Sequence, residues 1–134
     1  MAKEIQFLKK RAQEFWEAGK RFFNEGKYNL SAFHLEQAVQ LWIKYLIGLK
    51  IGDWPKTHYL SALIKELVRA WDENKFLEFY QQKELFFDSL EEAYFVSRYF
   101  PKEFTQNGVS QLIENAQEFL KLTEEITKEK FFNG

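Results

Sequence analysis

The sequence predicts an all-α protein, a five-helix antiparallel up-and-down bundle. Three observations carry that reading. Apolar residues recur every three or four positions along most of the chain, and no stretch alternates as a half-buried strand would. Proline and glycine are scarce, two and six residues, and most fall between the periodic segments. The segments are long and the links short, which favours antiparallel neighbours.

The first segment places Ile5, Leu8, Ala12, Phe15, Gly19 and Phe22 on one seam. "NEGKYN" (24–29) follows as a turn, with Gly26 suited to a left-handed residue past a helix end. Asn29 is the expected N-cap of a second helix running to about Leu49. "KIGDWPK" (50–56) is the clearest loop, and Thr57 is placed to cap a third helix with seam Leu60, Leu63, Ile64, Leu67 and Trp71. After a weak break at "DENK" (72–75) comes one long fourth helix, carrying Phe76, Phe79, Tyr80, Phe86, Phe87, Leu90 and Tyr94. Pro101 stops it near Tyr99 or Phe100. "TQNG" (105–108) reads as a turn, and the last helix carries Leu112, Ala116, Phe119, Thr123 and Ile126 before fraying toward "KEKFFNG".

The 134 residues suit a single domain, 1–134. Hydrophobic residues make up 46% and charged residues 29%, too apolar for a disordered chain. Aromatics reach 19%, so a few bulky rings can fill most of a core. The absence of cysteine excludes disulfides and thiolate metal sites. "MAKEIQFLKKRAQEF" mixes charges into every turn, unlike a signal peptide. The longest apolar run is about as short as "YLIGL", where a membrane span needs roughly 20 residues, so no membrane association is expected and a cytoplasmic protein is. Net charge is −1 but unevenly spread. Residues 1–71 hold 12 Lys+Arg against 7 Asp+Glu, and residues 72–134 hold 7 against 13. Either a basic face for an anionic ligand or mutual attraction of the two halves would explain the split.

Familiar catalytic patterns are missing. The two histidines, His34 and His58, lie on different elements, and no Glu-x-x-His pair supports a di-iron site. "GLKIG" (48–52) lacks the phosphate-loop pattern, and no serine sits in Gly-x-Ser-x-Gly. Glu91-Glu92 and Glu124-Glu125 read as solvated helix surface. No catalytic residue, metal or cofactor is expected.

The second helix carries two seams. Ala32, Leu35, Val39, Trp42, Leu46 and Leu49 form an apolar one that should build the core. Leu30, His34, Gln37, Leu41, Lys44 and Gly48 form a mixed one, as at a partly wet interface or beside a cleft. Its residues serve as the margin of the bundle with Lys44 snorkelling, as a homodimer interface through His34, Gln37, Leu41 and Lys44, or as the lining of a ligand site.

Residues 26–67 resemble the HEPN domain, a five-helix family. The matching features are Gly26 and Tyr28 before Ala32, then Gln37-Ala38, Lys44, and Pro55-x-x-His58-x-Leu60 ahead of Leu63 and Leu67. "LEEAYFVSRYFP" (90–101) is similar to the family's fourth-helix ending, and helix number and lengths extend the resemblance over nearly the whole chain. The departures are Gln40, where members often have Glu, and Phe100 between Arg98-Tyr99 and Pro101. Ribonuclease members carry Arg, four to six residues, then His. From Arg98 those places hold Glu103, Phe104 and Thr105, so the general base of that reaction is missing.

The resemblance implies a homodimer, nucleotide or RNA binding, and a minimal nucleotidyltransferase partner in a two-part, toxin–antitoxin-like system. Under it, Lys44 and Arg98 are candidates to meet phosphate. His58, expected at a helix start, is a candidate for anion binding. Tyr99 or Trp54 is a candidate to stack on a base. Two alternatives stand beside this. One is a divergent metal-independent ribonuclease or nucleotide-processing enzyme using His34 or His58 as base. The other is a peptide-binding helical hairpin, since Gly19, Gly26, Tyr28, Ala32 and Ala38 also resemble one tetratricopeptide unit, though no second copy follows.

Overall fold

Helical periodicity becomes six α-helices in the computed structural model, which describes residues 2–132, with side chains from residue 5. They are α1 (Ala2–Asn24), α2 (Tyr28–Ile51), α3 (Leu60–Trp71), α4 (Lys75–Gln82), α5 (Glu84–Tyr99) and α6 (Gln106–Thr127). No strand occurs among the described residues. The buried side chains of all six form one cluster around α2. The all-helical class stands, and the count of five does not.

The extra helix comes from a break at Lys83, which leaves helical geometry at φ −114° and ψ 35°. The spacing of the rings does not announce it, since Phe79 and Phe86, and Tyr80 and Phe87, are seven positions apart and would share one face of an unbroken helix. The rings of both halves still pack together across the break. Phe79 and Tyr80 meet Phe87 at 6.1 and 5.0 Å between ring centroids, and Phe119 of α6 meets Phe87 at 5.5 Å. Lys83 fixes the corner by bonding Asn115 and pairing with Glu118, both on α6.

Three helix starts differ from expectation, two of them beside a longer-range contact. Helix α2 begins at Tyr28 after Lys27, so Asn29 lies inside it and is not its cap. Its amide instead reaches a distant loop, donating to the Lys102 carbonyl at 3.3 Å and accepting from the Phe104 N–H at 2.8 Å. Helix α3 begins at Leu60, not Thr57. The Thr57 hydroxyl accepts from the Tyr59 N–H, while the Leu60 N–H donates to the Glu91 carboxylate at 2.7 Å. Thr105 caps α6 by accepting from the Gly108 N–H, so "TQNG" is a first helical turn and not a connecting one.

Gly26 takes the left-handed conformation the sequence calls for, at φ +76°. Gly19 serves packing. A Cβ there would lie 2.9 Å from Leu35 Cδ2, so its absence lets α1 and α2 approach closely. Trp16, not Phe15, occupies the inner face of α1, with Ile5, Leu8 and Ala12. Phe15 and Phe22 are half-buried at its side.

The segment after α6 does not fray within the described residues. Lys128 turns the chain at φ +65°. Phe131 is buried against Trp16 and Trp42 at 6.0 and 5.1 Å. The Glu124 carboxylate, expected on the solvated surface, accepts from the N–H groups of Phe131 and Phe132. Residues 133 and 134 lie outside the described part.

Candidate nucleotide-binding face

Helix α2 positions most of the polar groups of interest. Its apolar seam behaves as predicted, with Ala32, Leu35, Val39, Trp42 and Leu46 fully buried and Leu49 partly so. A second buried string runs beside it, Glu36, Gln40 and Lys44, one helical turn apart. Gln37 and Gln40 each donate to one Glu36 carboxylate oxygen at 2.8 Å. The Lys44 ammonium donates to the Gln40 Oε1 at 3.0 Å. Burial pushes the Glu36 carboxyl up to about 7, against the pull of the two amides and the Lys44 charge, while the Glu91 charge adds to the rise. Burial likewise lowers Lys44 from its ordinary value, with Glu36 opposing and the Lys56 charge adding to the fall.

The other mixed-seam residues lie further out, Gly48 excepted. His34, Gln37 and Leu41 are half-buried, and His34 Nδ1 is 2.6 Å from the Leu30 carbonyl oxygen. Gly48 is buried against Ile5 of α1.

A different cluster forms where the start of α3 meets the end of α5. Tyr94 and Arg98 share one face of α5 at an i, i+4 spacing. The Arg98 guanidinium donates to the Tyr94 carbonyl through Nε and Nη2 at 3.1 and 2.7 Å. It lies 4.6 Å from the Tyr94 ring, 4.9 Å from Tyr99 and 5.1 Å from Phe33 of α2. His58, in the loop before α3, stacks on Tyr94 at 4.4 Å and 5° and touches Tyr59 and Phe95. Its Nε2 is buried with no hydrogen-bond partner among the described residues. Tyr99 is 69% exposed, and Tyr59, Phe95 and Phe100 are also exposed. Large rings left in water beside a cation, at one end of the bundle, form a surface able to stack on planar groups and attract anions.

The structure thus brings three of the sequence candidates, His58, Arg98 and Tyr99, around Tyr94. Lys44 sits apart in the buried string. Trp54 faces Phe7 of α1 at 5.8 Å, with the Lys56 ammonium 3.9 Å from its ring centroid. Sequence reasoning read the Tyr94–Arg98 spacing as part of the family resemblance but did not place Tyr94 or Phe33, the rings that join these groups, in the site. It also missed Glu36, which neighbouring apolar residues mask, and took Glu91 for solvated surface where it holds the first N–H of α3. Among the described residues no three His, Cys, Asp or Glu side chains stand where they could hold a metal ion. No described helix is long and apolar enough to cross a membrane.

An all-helical bundle with an arginine–aromatic face defines the class. Among known families, the model of the HEPN domain matches residues 5–126, and the chain belongs to the HEPN family. That membership points to a nucleotide- or RNA-related role. No curated protein and no solved structure matches the chain significantly.

Proposed function

We propose that this protein is a nucleotide- or RNA-binding HEPN protein that binds without cutting. The observation that supports it most is the Arg98 guanidinium spread over Phe33, Tyr94 and Tyr99 beside exposed rings. Arginine supplies a cation for phosphate, and the rings supply faces for a base. The positions where the ribonuclease pattern needs a histidine after Arg98 hold Glu103, Phe104 and Thr105, so this chain lacks that base. Isothermal titration with a panel of nucleotides and a uridine-rich RNA tests the reading. Arg98→Ala should weaken binding about tenfold, the scale of one lost charged or stacking contact. No heat with any nucleotide and no retention of RNA would remove it. The resemblance further supports a homodimer and a minimal nucleotidyltransferase partner, which sedimentation and co-purification test.

A second reading is a divergent ribonuclease, favoured by the stacking of His58 on the same Tyr94 ring that Arg98 contacts. Labelled RNA should then yield products that vanish with His58→Ala. Intact RNA after incubation with wild type counts against it.

A further inference from the structure

The rings do not stop at the Arg98 face. Tyr59 leads to His58 at 4.4 Å, His58 to Tyr94 at 4.4 Å, and Tyr94 to Phe33 at 6.4 Å. Phe33 leads to His34 at 5.6 Å, and His34 to Phe22 and Phe15 of α1 at 5.0 and 5.5 Å. Tyr59 is exposed and the other rings are half-buried, with His58 and Tyr94 stacked on each other. They make a track from the start of α3, over α5 and α2, onto the outer side of α1. There it enters a shallow groove of about 360 Å³ lined by Arg11, Glu14, Phe15, Ala18 and His34.

Exposed cations flank the track along its length. Arg98 stands at its middle. Arg21 and Lys27 lie 5.5 and 5.9 Å from the Phe22 ring, and Arg11 lines the groove. Glu14 is the single acid among the groove's lining residues. This is also the half of the chain with the basic excess. The ion pairs do little to cancel that excess across the fold: of the six among the described residues, only Lys9–Glu129 joins the basic half to the acidic one.

From this alternation of rings and cations we infer that the track binds a single-stranded nucleic acid segment several nucleotides long, with bases on the rings and phosphates on Arg98, Arg21 and Arg11. The assignment rests on the binding function proposed above and extends it from one nucleotide to a strand. A strand with unstacked bases fits because every base offers a face to an aromatic ring, whereas a duplex hides its faces. A second copy of this chain, docked through His34, Gln37 and Leu41, would compete for the same wall of α2.

The test uses the whole protein, fluorescently labelled 12-mers of uridine RNA and thymidine DNA, an RNA duplex, and ATP. Arg11→Gln with Arg21→Gln changes two exposed side chains away from the Arg98 face. The double variant should bind the single strands about tenfold more weakly and lose about 1.4 from the slope of log affinity against log salt, the share of two phosphate contacts. Its affinity for ATP should stay at the wild-type value. Comparing the RNA and DNA strands identifies which is preferred, and binding of either in this pattern supports the track. Equal binding of the 12-mers by the double variant and wild type, while Arg98→Ala weakens both strand and ATP, overturns the track and leaves the nucleotide site standing. Duplex binding as tight as single-strand binding overturns it too. A concentration-dependent dimer lost in the double variant, with no strand bound by wild type, assigns the groove to a second copy. Loss of ATP and strand binding alike in wild type removes both proposals.

Discussion

Helix α2 buries two stripes that differ in kind. Ala32, Leu35, Val39, Trp42 and Leu46 are dry and apolar. Glu36, Gln40 and Lys44, on an adjoining face, are buried too, less completely toward Lys44, and are joined by hydrogen bonds. The first stripe gains stability from apolar area removed from water and from close packing. The second must offset the desolvation of a carboxylate and an ammonium, and each amide bond it holds is part of that compensation. The contrast teaches that the two stripes should answer to different variables, the dry one to volume and the polar one to pH.

The largest expected effect breaks the dry stripe. Trp42→Ala removes a fully buried ring stacked on Tyr45 and a hydrogen bond to Thr123, and should cost about 3–5 kcal/mol in urea unfolding. That loss should be nearly the same at pH 5 and pH 8. The polar stripe should show the reverse behaviour. The folded Glu36 carboxyl keeps its proton up to about pH 7, whereas its ordinary value is 4.5. Between those values the native state binds more protons than the unfolded chain. Stability therefore falls as pH rises through that window, by about 3 kcal/mol from this group, and is flat above it. Glu36→Gln should abolish that slope. An unchanged pH profile in the variant would mean the carboxyl titrates normally.

Glu91→Gln sharpens the same contrast at smaller scale. It weakens the acceptor for the Leu60 N–H and should cost about 1 kcal/mol, the usual value of a helix cap. It should also shift the Glu36-dependent window toward lower pH, because the Glu91 charge helps hold that carboxyl protonated. The smallest effect belongs to the exposed pair Lys102–Glu92. Lys102→Ala should change stability by no more than about 0.5 kcal/mol and serves as the surface control. A larger loss would mean that the 101–104 loop, tied down by Asn29, depends on that pair as well.

Features set by one residue's own chemistry were legible in the sequence. Gly26 takes its left-handed turn, α5 ends two residues before Pro101, and the Leu35–Val39–Trp42–Leu46 seam is buried. Features that need a distant partner were not. Asn29 looks like a cap because its side chain favours backbone groups, and it does bond them, but 73 and 75 residues away. Glu91 and Glu124 look like surface because nothing nearby in sequence announces the N–H groups they accept. The division between α4 and α5 was not legible, because Phe79–Phe86 and Tyr80–Phe87 keep a seven-residue helical spacing across it, and the corner is held by Lys83 reaching Asn115 and Glu118 of α6. On the candidate face, Arg98, His58 and Tyr99 were readable as residues. That they gather around Tyr94 depends on how α3 and α5 meet.

Phe131 has a consequence for the order of events in making this protein. Its ring completes the packing around Trp16 and Trp42, and its N–H is held by Glu124. On a ribosome, α1 and α2 emerge first and can pair early through the close approach at Gly19. Their largest rings still have an open side until residue 131 has been added more than a hundred residues after Trp16. The final packing step therefore belongs to the time after most of the chain is synthesised, and a nascent chain arrested short of Phe131 would show two tryptophans to the surrounding water and to any chaperone waiting there.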